Sequence, residues 1–274
     1  MIRDLVVNLA TTTKHDRARD YALSIGEQFN VHVTGIAFAF EPIISVMSNV
    51  EGLPATYIEE ERAANEQAAR TAKEKFLQLN TAVRCESYSP QVTVSGAASL
   101  FAKFSRNYDL CVVEQANTCT SHYDFLIEAA LFDSGRPVFV IPYIHEKPAK
   151  FETALVCWDG SRQAARATAD AMPFLRKAKR IQIITVAEAN KVTEDLPGAE
   201  IAQHLSRHGL SVQTKRIDVE DIDIANVILT HATDIDANFI VMGAYGHTRL
   251  REFIFGGVTA QILATMTVPV LMSH

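Results

Sequence analysis

Short apolar runs alternate with segments of helical periodicity along the whole chain, and the alternation occurs twice. Leu5-Val6-Val7-Asn8 and Ala154-Leu155-Val156-Cys157 are each followed by polar residues and then an alanine-punctuated segment. Ala18, Ala22, Ile25 and Phe29 in the first such segment, and Ala164, Ala167, Ala171 and Leu175 in the second, recur at the three-and-four spacing of a core-facing helix stripe. Further on, Asp109-Leu110-Cys111-Val112-Val113 parallels Asn238-Phe239-Ile240-Val241-Met242. Likewise Arg136-Pro137-Val138-Phe139-Val140 parallels Val268-Pro269-Val270-Leu271-Met272. Stripes over Ala97, Leu100, Phe101 and Phe104, and over Ile224, Val227, Ile228 and His231, predict a helix before each of these pairs. Near-continuous β-branched runs between amphipathic helices indicate βα units and a parallel sheet buried on both faces.

The pattern predicts five strands per half, near 4–9, 31–38, 83–88, 109–114 and 137–141, then 153–158, 181–186, 212–219, 239–243 and 268–272. The expected architecture is α/β, with two tandem open five-stranded parallel-sheet domains at 1–144 and 151–274 and the charged, Pro-containing stretch 145–150 as linker. The halves differ in length because the first carries an insertion, 41–79, where Ile58, Asn65, Ala69, Ala72, Phe76 and Leu79 predict a helix of five or more turns. Its Glu59-Glu60-Glu61 run reads as a solvated face rather than a metal site.

Composition narrows the function classes. Of 274 residues, 48% are apolar and 21% charged, enough to bury a core and unlike a disordered chain. A net charge of −6 argues against a nucleic-acid protein, which carries a basic face. It leaves room for a single nucleotide, because a few backbone N–H groups hold a phosphate in an acidic protein. The first residues lack the pattern of a signal peptide, and the apolar run 35–40 is stopped by Glu41 and Pro42, far short of a membrane span. Cys85, Cys111, Cys119 and Cys157 show no C-x-x-C spacing, so a reduced, cytoplasmic protein is expected.

The second half offers one candidate for chemistry. After its fourth strand come Gly243-Ala244-Tyr245-Gly246-His247, and then Gly256-Gly257-Val258-Thr259 at the start of a helix. Glycines there let a backbone approach an anion, and a helix N-terminus favours a phosphate. Thr259 adds a hydroxyl in the first helical turn. Tight turns alone are the competing explanation of the glycines. The spacing G-x-x-G, nine residues, then G, set by Gly243, Gly246 and Gly256, resembles the nucleotide loop of the ATP-binding branch of the universal stress protein family. The resemblance extends over both halves. It implies a Rossmann-like sheet of order 3-2-1-4-5 in each, and a loop that holds the ribose and phosphates of ATP or another adenine nucleotide. It also implies that the last strands of the two halves pair, with a homodimer of whole chains as a further expectation.

The family pattern has Ser or Thr after the last glycine, where this chain has Gly257. The loss of that hydroxyl weakens a phosphate contact by about 1 kcal/mol. The family's aspartate after the first strand is matched by Asp159, which the resemblance places beside the ribose or a Mg²⁺ held through water. Capping of the following helix is the other reading of Asp159. Val186 and Ala187 fall where the family packs the adenine, although core packing accounts for Val186 equally well. His247 adjoins the loop, and Arg249 and Arg251 lie within it. In the first half Glu114 and Asn117 align with Gly243 and Gly246, Asp124 and Phe125 align with Gly256 and Gly257, and Asn8-Leu9-Ala10-Thr11 has no aspartate. That half is not expected to bind ATP.

His204 and His208 share a helix face without a third ligand, and Ser161 has no His/Asp partner at a recognisable spacing. No G-x-x-x-x-G-K-[ST] loop occurs, and no residue presents itself as a general base. Three readings follow: a nucleotide-dependent sensor or regulator in stress response, a nucleotide-free interaction module, or an adenylating enzyme of the adenine-nucleotide α-hydrolase-like group.

Overall fold

The computed structural model describes residues 1–12, 15–42, 55–79, 82–116, 123–188, 198–219, 223–245 and 257–274. The first half contains strands β1 (Asp4–Asn8), β2 (His32–Ile36), β3 (Ala39–Phe40), β4 (Cys85–Tyr88), β5 (Gln91–Val92), β6 (Leu110–Glu114) and β7 (Val138–Ile141). The second contains β8 (Thr153–Cys157), β9 (Arg180–Glu188), β10 (Val212–Val219), β11 (Phe239–Gly243) and β12 (Val270–Ser273). Helices α1 (Arg17–Phe29), α2 (Ala55–Gln78), α3 (Val94–Ser105) and α4 (Tyr123–Asp133) precede α5 (Arg162–Leu175), α6 (Ala199–Arg207), α7 (Ile224–Asp234) and α8 (Gly257–Thr265).

Ten of these strands form one sheet in the order β10-β9-β8-β11-β12-β7-β6-β1-β2-β4. Within each half the order is the expected 3-2-1-4-5, with parallel pairing throughout. The expectation of two separate five-stranded sheets is corrected. β12 and β7 pair antiparallel, with Val270 opposite Val140, Leu271 opposite Phe139 and Met272 opposite Val138. Each half ends on a strand that would expose an apolar edge, and joining the two edges removes both liabilities. The short β3–β5 ladder is a second, unexpected sheet, built where the chain leaves β2 and β4.

The alternation of side chains along each strand sorts the core into two layers that both run across the halves. One lies under α1, α2, α5 and α6 and takes Leu5, Val7, Phe139, Val156 and Val241 from the strands. The other lies under α3, α4, α7 and α8 and takes Val6, Val113, Val140, Ile240 and Met242. Phe139 stands 5.1 Å from Phe174 and 5.5 Å from Tyr21, so an aromatic cluster fills the seam between the halves. The same backbone latch starts the central strand of each half: the Asp109 carboxylate accepts from Arg3 and Asp4 N–H, and Asn238 Oδ1 from Glu152 and Thr153 N–H.

Two expectations are refined by packing. The 41–79 segment is the β2-to-β4 crossover, with α2 as a longer counterpart of α6, rather than an extra element. Ala69 and Phe76 of its stripe are fully buried, but Leu79 lies past the helix end and is 58% exposed. Glu59, Glu60 and Glu61 face solvent. The 145–150 stretch does not hang free: Arg17 pairs with Glu146 at 2.7 Å, Gln28 Nε2 donates to the Ala149 carbonyl, and Ala149 N–H donates to Ser24 Oγ.

Candidate functional site

The chain runs from β8 to β9 and β10 on one side, then returns to β11 and β12 on the other. The carboxyl ends of β8 and β11 therefore flank a topological switch point, the place where open α/β sheets bind ligands. Trp158 and Asp159 follow β8, Val186 and Ala187 lie near the end of β9, Gly243 ends β11, and Gly257, Val258 and Thr259 open α8. The fold thus brings these residues to one edge of the sheet. Gly246, His247, Gly256, Arg249 and Arg251 lie outside the described residues.

Each residue has its own local reason. Gly243 has no Cβ because α5 has no room for one: a Cβ would fall 2.6 Å from Ala164 N and 2.7 Å from the Gln163 carbonyl carbon. Its glycine is a packing requirement. Tyr245 adopts φ 54°, the left-handed region that few non-glycine residues occupy. Its N–H donates to Thr259 Oγ1 at 3.2 Å, so the buried Thr259 braces the residues after β11 on the first turn of α8. Gly257 differs from Gly243. Among the described residues a Cβ there meets nothing within 4 Å, and the residue is exposed. Val258 packs at the edge of the core layer beneath α8.

Asp159 is exposed, and its Oδ1 accepts from Ser161 N–H at 2.9 Å. The cap of α5 is Ser161, whose hydroxyl accepts from Ala164 N–H, which also settles that serine's role in the fold. Val186 is half-buried against the core layer, and Ala187 pairs with Asp218 in the β9–β10 ladder. Burial, with the Asp159 charge nearby, pushes the Cys157 thiol up to about 12, and burial takes Cys111 to about 11. Both stay protonated and are poor nucleophiles. The exposed His204 and His208 rings lie 4.8 Å apart. Among the described residues no three His, Cys, Asp or Glu side chains converge on a metal position.

The first half uses the equivalent place for itself. Glu114 ends β6 as Gly243 ends β11, and its carboxylate accepts from Arg17 N–H at 2.9 Å at the start of α1. Asp16 caps the same helix by accepting from Arg19 N–H, and its other oxygen accepts from Ala10 N–H. Burial raises both carboxyls, Asp16 to about 6 and Glu114 to about 7. An anion of the chain thus occupies the helix start. Phe125 is exposed in the first turn of α4, while Asn117 and the Asp124 side chain lie outside the described residues.

Sequence reasoning missed the Glu114 contact, because a residue read only as unlike glycine turned out to have a helix N-terminus to cap. It also missed Gln115 and Phe132, which reach from the first half towards α8 and Tyr245. The signal for Gln115 was a polar residue placed directly after a buried strand.

Comparison with known proteins places part of the chain in a family. Residues 150–274 match the model of the universal stress protein family, and that segment is a universal stress protein domain. The chain is 24% identical over 164 residues to Universal stress protein Slr1230 of Synechocystis, a match covering 58% of this chain and 54% of that protein. It is 39% identical over 56 residues to Stress response protein NhaX of Bacillus subtilis, covering 20% and 34%. The chain therefore spans about half of the first curated relative and a third of the second. A universal stress protein from Archaeoglobus fulgidus shares the fold at TM-score 0.70 and 19% identity, with 98% of this chain and 95% of that one covered. A functionally unknown protein from Pseudomonas aeruginosa does so at TM-score 0.60 and 16% identity, covering 99% and 92%. No helix among the described residues is long and apolar enough to cross a membrane.

Proposed function

We propose, from the premise that residues 150–274 are a universal stress protein domain, that this domain binds ATP or another adenine nucleotide and acts in stress response as a nucleotide-dependent sensor or regulator. The chain is then two units of one kind, 1–144 and 151–274, of which the first keeps the topology and not the site. The observation that carries the reading is the start of α8, where the exposed Gly257 has no described residue within 4 Å of its Cβ position and shares a sheet edge with the exposed Asp159 carboxylate. The N–H groups of the first turn and the helix dipole suit a phosphate there. Asp159, an exposed oxygen donor, would hold Mg²⁺ through water, and that ion would neutralise phosphate charge. Val186, half-buried near the end of β9, would supply an apolar side on which a base rests. The proposed output is occupancy rather than turnover.

Trp158 is the chain's one tryptophan and directly precedes Asp159, so its fluorescence reports on the site. Titrating ATP into the purified protein is expected to give a saturable change in Trp158 emission, and denaturation to release bound nucleotide. Gly257→Ser restores a hydroxyl in open space and is expected to tighten ATP about five-fold, the equivalent of about 1 kcal/mol. Absence of both released nucleotide and a fluorescence response in the two proteins would reject the reading. That result would favour a nucleotide-free interaction module, a second reading supported by Gly243, whose glycine the packing of α5 already explains.

A further inference from the structure

The second half runs β9 and β10 as one continuous parallel ladder, from Ile181 paired with Val212 to Glu188 paired with Val219. The first half breaks the corresponding ladder after Ile36 and Tyr88 and restarts it as β3 and β5. Glu41 N–H donates to the Val92 carbonyl at 2.9 Å and Ala39 N–H to that of Pro90, so the restarted ladder is firmly paired. Helix α2 passes beside it and is tied to it twice. Asn65 Nδ2 donates to the Phe40 carbonyl at 2.9 Å, and Gln91 Nε2 donates to Glu66 Oε1. Between helix and ladder lies a cleft of about 360 Å³, lined by Ala39, Phe40, Glu41, Arg62, Glu66 and Gln91.

Arg62 and Glu66 stand one turn apart on α2, the spacing at which an ion pair ordinarily forms. Glu66 instead accepts from Gln91, and among the described residues neither Arg62 nor Glu41 has an ion pair. The cleft therefore carries one unpaired guanidinium and one unpaired carboxylate, beside the second oxygen of Glu66. We propose that it binds a basic α-amino acid, of the class of L-arginine or L-lysine, with Arg62 holding the carboxylate and Glu41 and Glu66 the cationic nitrogens. A planar guanidinium suits a carboxylate, which accepts two parallel N–H bonds from it. Two carboxylates against one guanidinium leave the lining with one net negative charge, which a ligand of one net positive charge neutralises. The half-buried Phe40 supplies an apolar wall for the aliphatic stem of such a side chain. The volume lies near the low end of ligand pockets, roughly 300–1,000 Å³, and suits an amino acid better than a nucleotide. The cleft shares no residue with the second half, so this binding stands independently of the nucleotide reading.

Titration calorimetry on the full chain, with L-arginine, L-lysine, agmatine and L-glutamate as probes, tests the assignment. L-Arginine and L-lysine are expected to bind saturably and L-glutamate not at all. Agmatine, which lacks the carboxylate, is expected to bind about ten-fold more weakly than L-arginine. Arg62→Gln is expected to weaken L-arginine about ten-fold and leave agmatine within about two-fold, because the partner it loses is the carboxylate. Glu41→Gln is expected to weaken both ligands about five-fold. Both positions are exposed, so the variants keep the fold, and an unchanged urea midpoint verifies it. In amide NMR spectra of the parent, L-arginine is expected to shift the Ala39 and Gln91 N–H signals and leave that of Trp158 in place. No saturable heat with either basic amino acid overturns the proposal. Binding that both variants leave unchanged, or that moves no signal of the cleft, overturns it as well. Agmatine that binds the parent as tightly as L-arginine overturns the carboxylate contact of Arg62, and with it the amino-acid class.

Discussion

Replacing Gly243 with alanine is expected to destabilise the protein by about 3 kcal/mol, the upper range for forcing one methyl into a packed site. The new Cβ would stand 2.6 Å from Ala164 N, 2.7 Å from the Gln163 carbonyl carbon and 2.8 Å from Gln163 Cβ. Two of these three atoms are backbone of the first turn of α5, so no rotamer change relieves the overlap. The helix itself would have to move, and it is pinned by the Ser161 cap and by Ala164, Ala167 and Ala171 buried beneath it. The contrast within the same motif is Gly257→Ala, whose Cβ meets none of the described residues within 4 Å and which is expected to be neutral or to stabilise by a few tenths of a kcal/mol. Urea unfolding of the two variants beside the parent checks both. A Gly243→Ala midpoint equal to that of the parent would show that α5 yields freely. The glycine would then be available to serve a ligand instead.

The two glycines also show where the sequence was legible and where it was not. The period of apolar residues located all ten strands of the main sheet to within a few residues, because strands buried on both faces can only be near-continuous apolar runs. The pairing of Val138–Ile141 with the last strand was implied by the family resemblance alone, and it joins two otherwise bare edges. Asp159, Val186, Gly243 and Gly257 converge on one sheet edge as the strand order requires. What the sequence could not express was the third dimension of each contact. Gly243 and Gly257 look alike in a motif, yet one faces a helix backbone and the other open space. Thr259 reads as a free hydroxyl until its oxygen is seen accepting from Tyr245 N–H. Phe132 lies 113 positions before Tyr245 and no local pattern links them.

The equivalent strand ends of the two halves meet different partners. Where the second half leaves the strand end bare and brings the α5 backbone close, the first half supplies Glu114, which bonds the start of α1. A helix N-terminus that a carboxylate already satisfies has less to offer a phosphate, because both compete for the same N–H groups and the same dipole. The first half also packs against the second through Gln115 and Phe132.

The same carboxylates make stability depend on pH, in a direction opposite to ordinary acid denaturation. Burial is the main cause that raises Asp16 from 3.8 to about 6 and Glu114 from 4.5 to about 7, with the Asp20 charge adding to the rise at Asp16 and the Asp16 charge to that at Glu114. Backbone N–H donors from Ala10, Arg17 and Arg19 pull both downward without cancelling burial. Arg17 and Arg19 are engaged with Glu146 and Asp20, and the nearby His145 is held below its usual range by burial. Because the folded pKa values lie above the unfolded ones, the folded state binds more protons between about pH 4 and 7. The contribution is thus complete below the unfolded values and is lost as pH rises through about 7. A two-unit shift corresponds to about 3 kcal/mol for one group, and we expect the pair together to cost about 5 kcal/mol between pH 4.5 and 8. Glu114→Gln keeps an oxygen to accept from Arg17 N–H and removes the charge. It is expected to gain about 2 kcal/mol on the parent at pH 8 and almost nothing at pH 4.5, measured by urea unfolding at each pH. Parallel curves for variant and parent across that range would mean that the two carboxyls ionise as freely in the fold as out of it, and that Glu114 caps α1 as an ordinary surface anion.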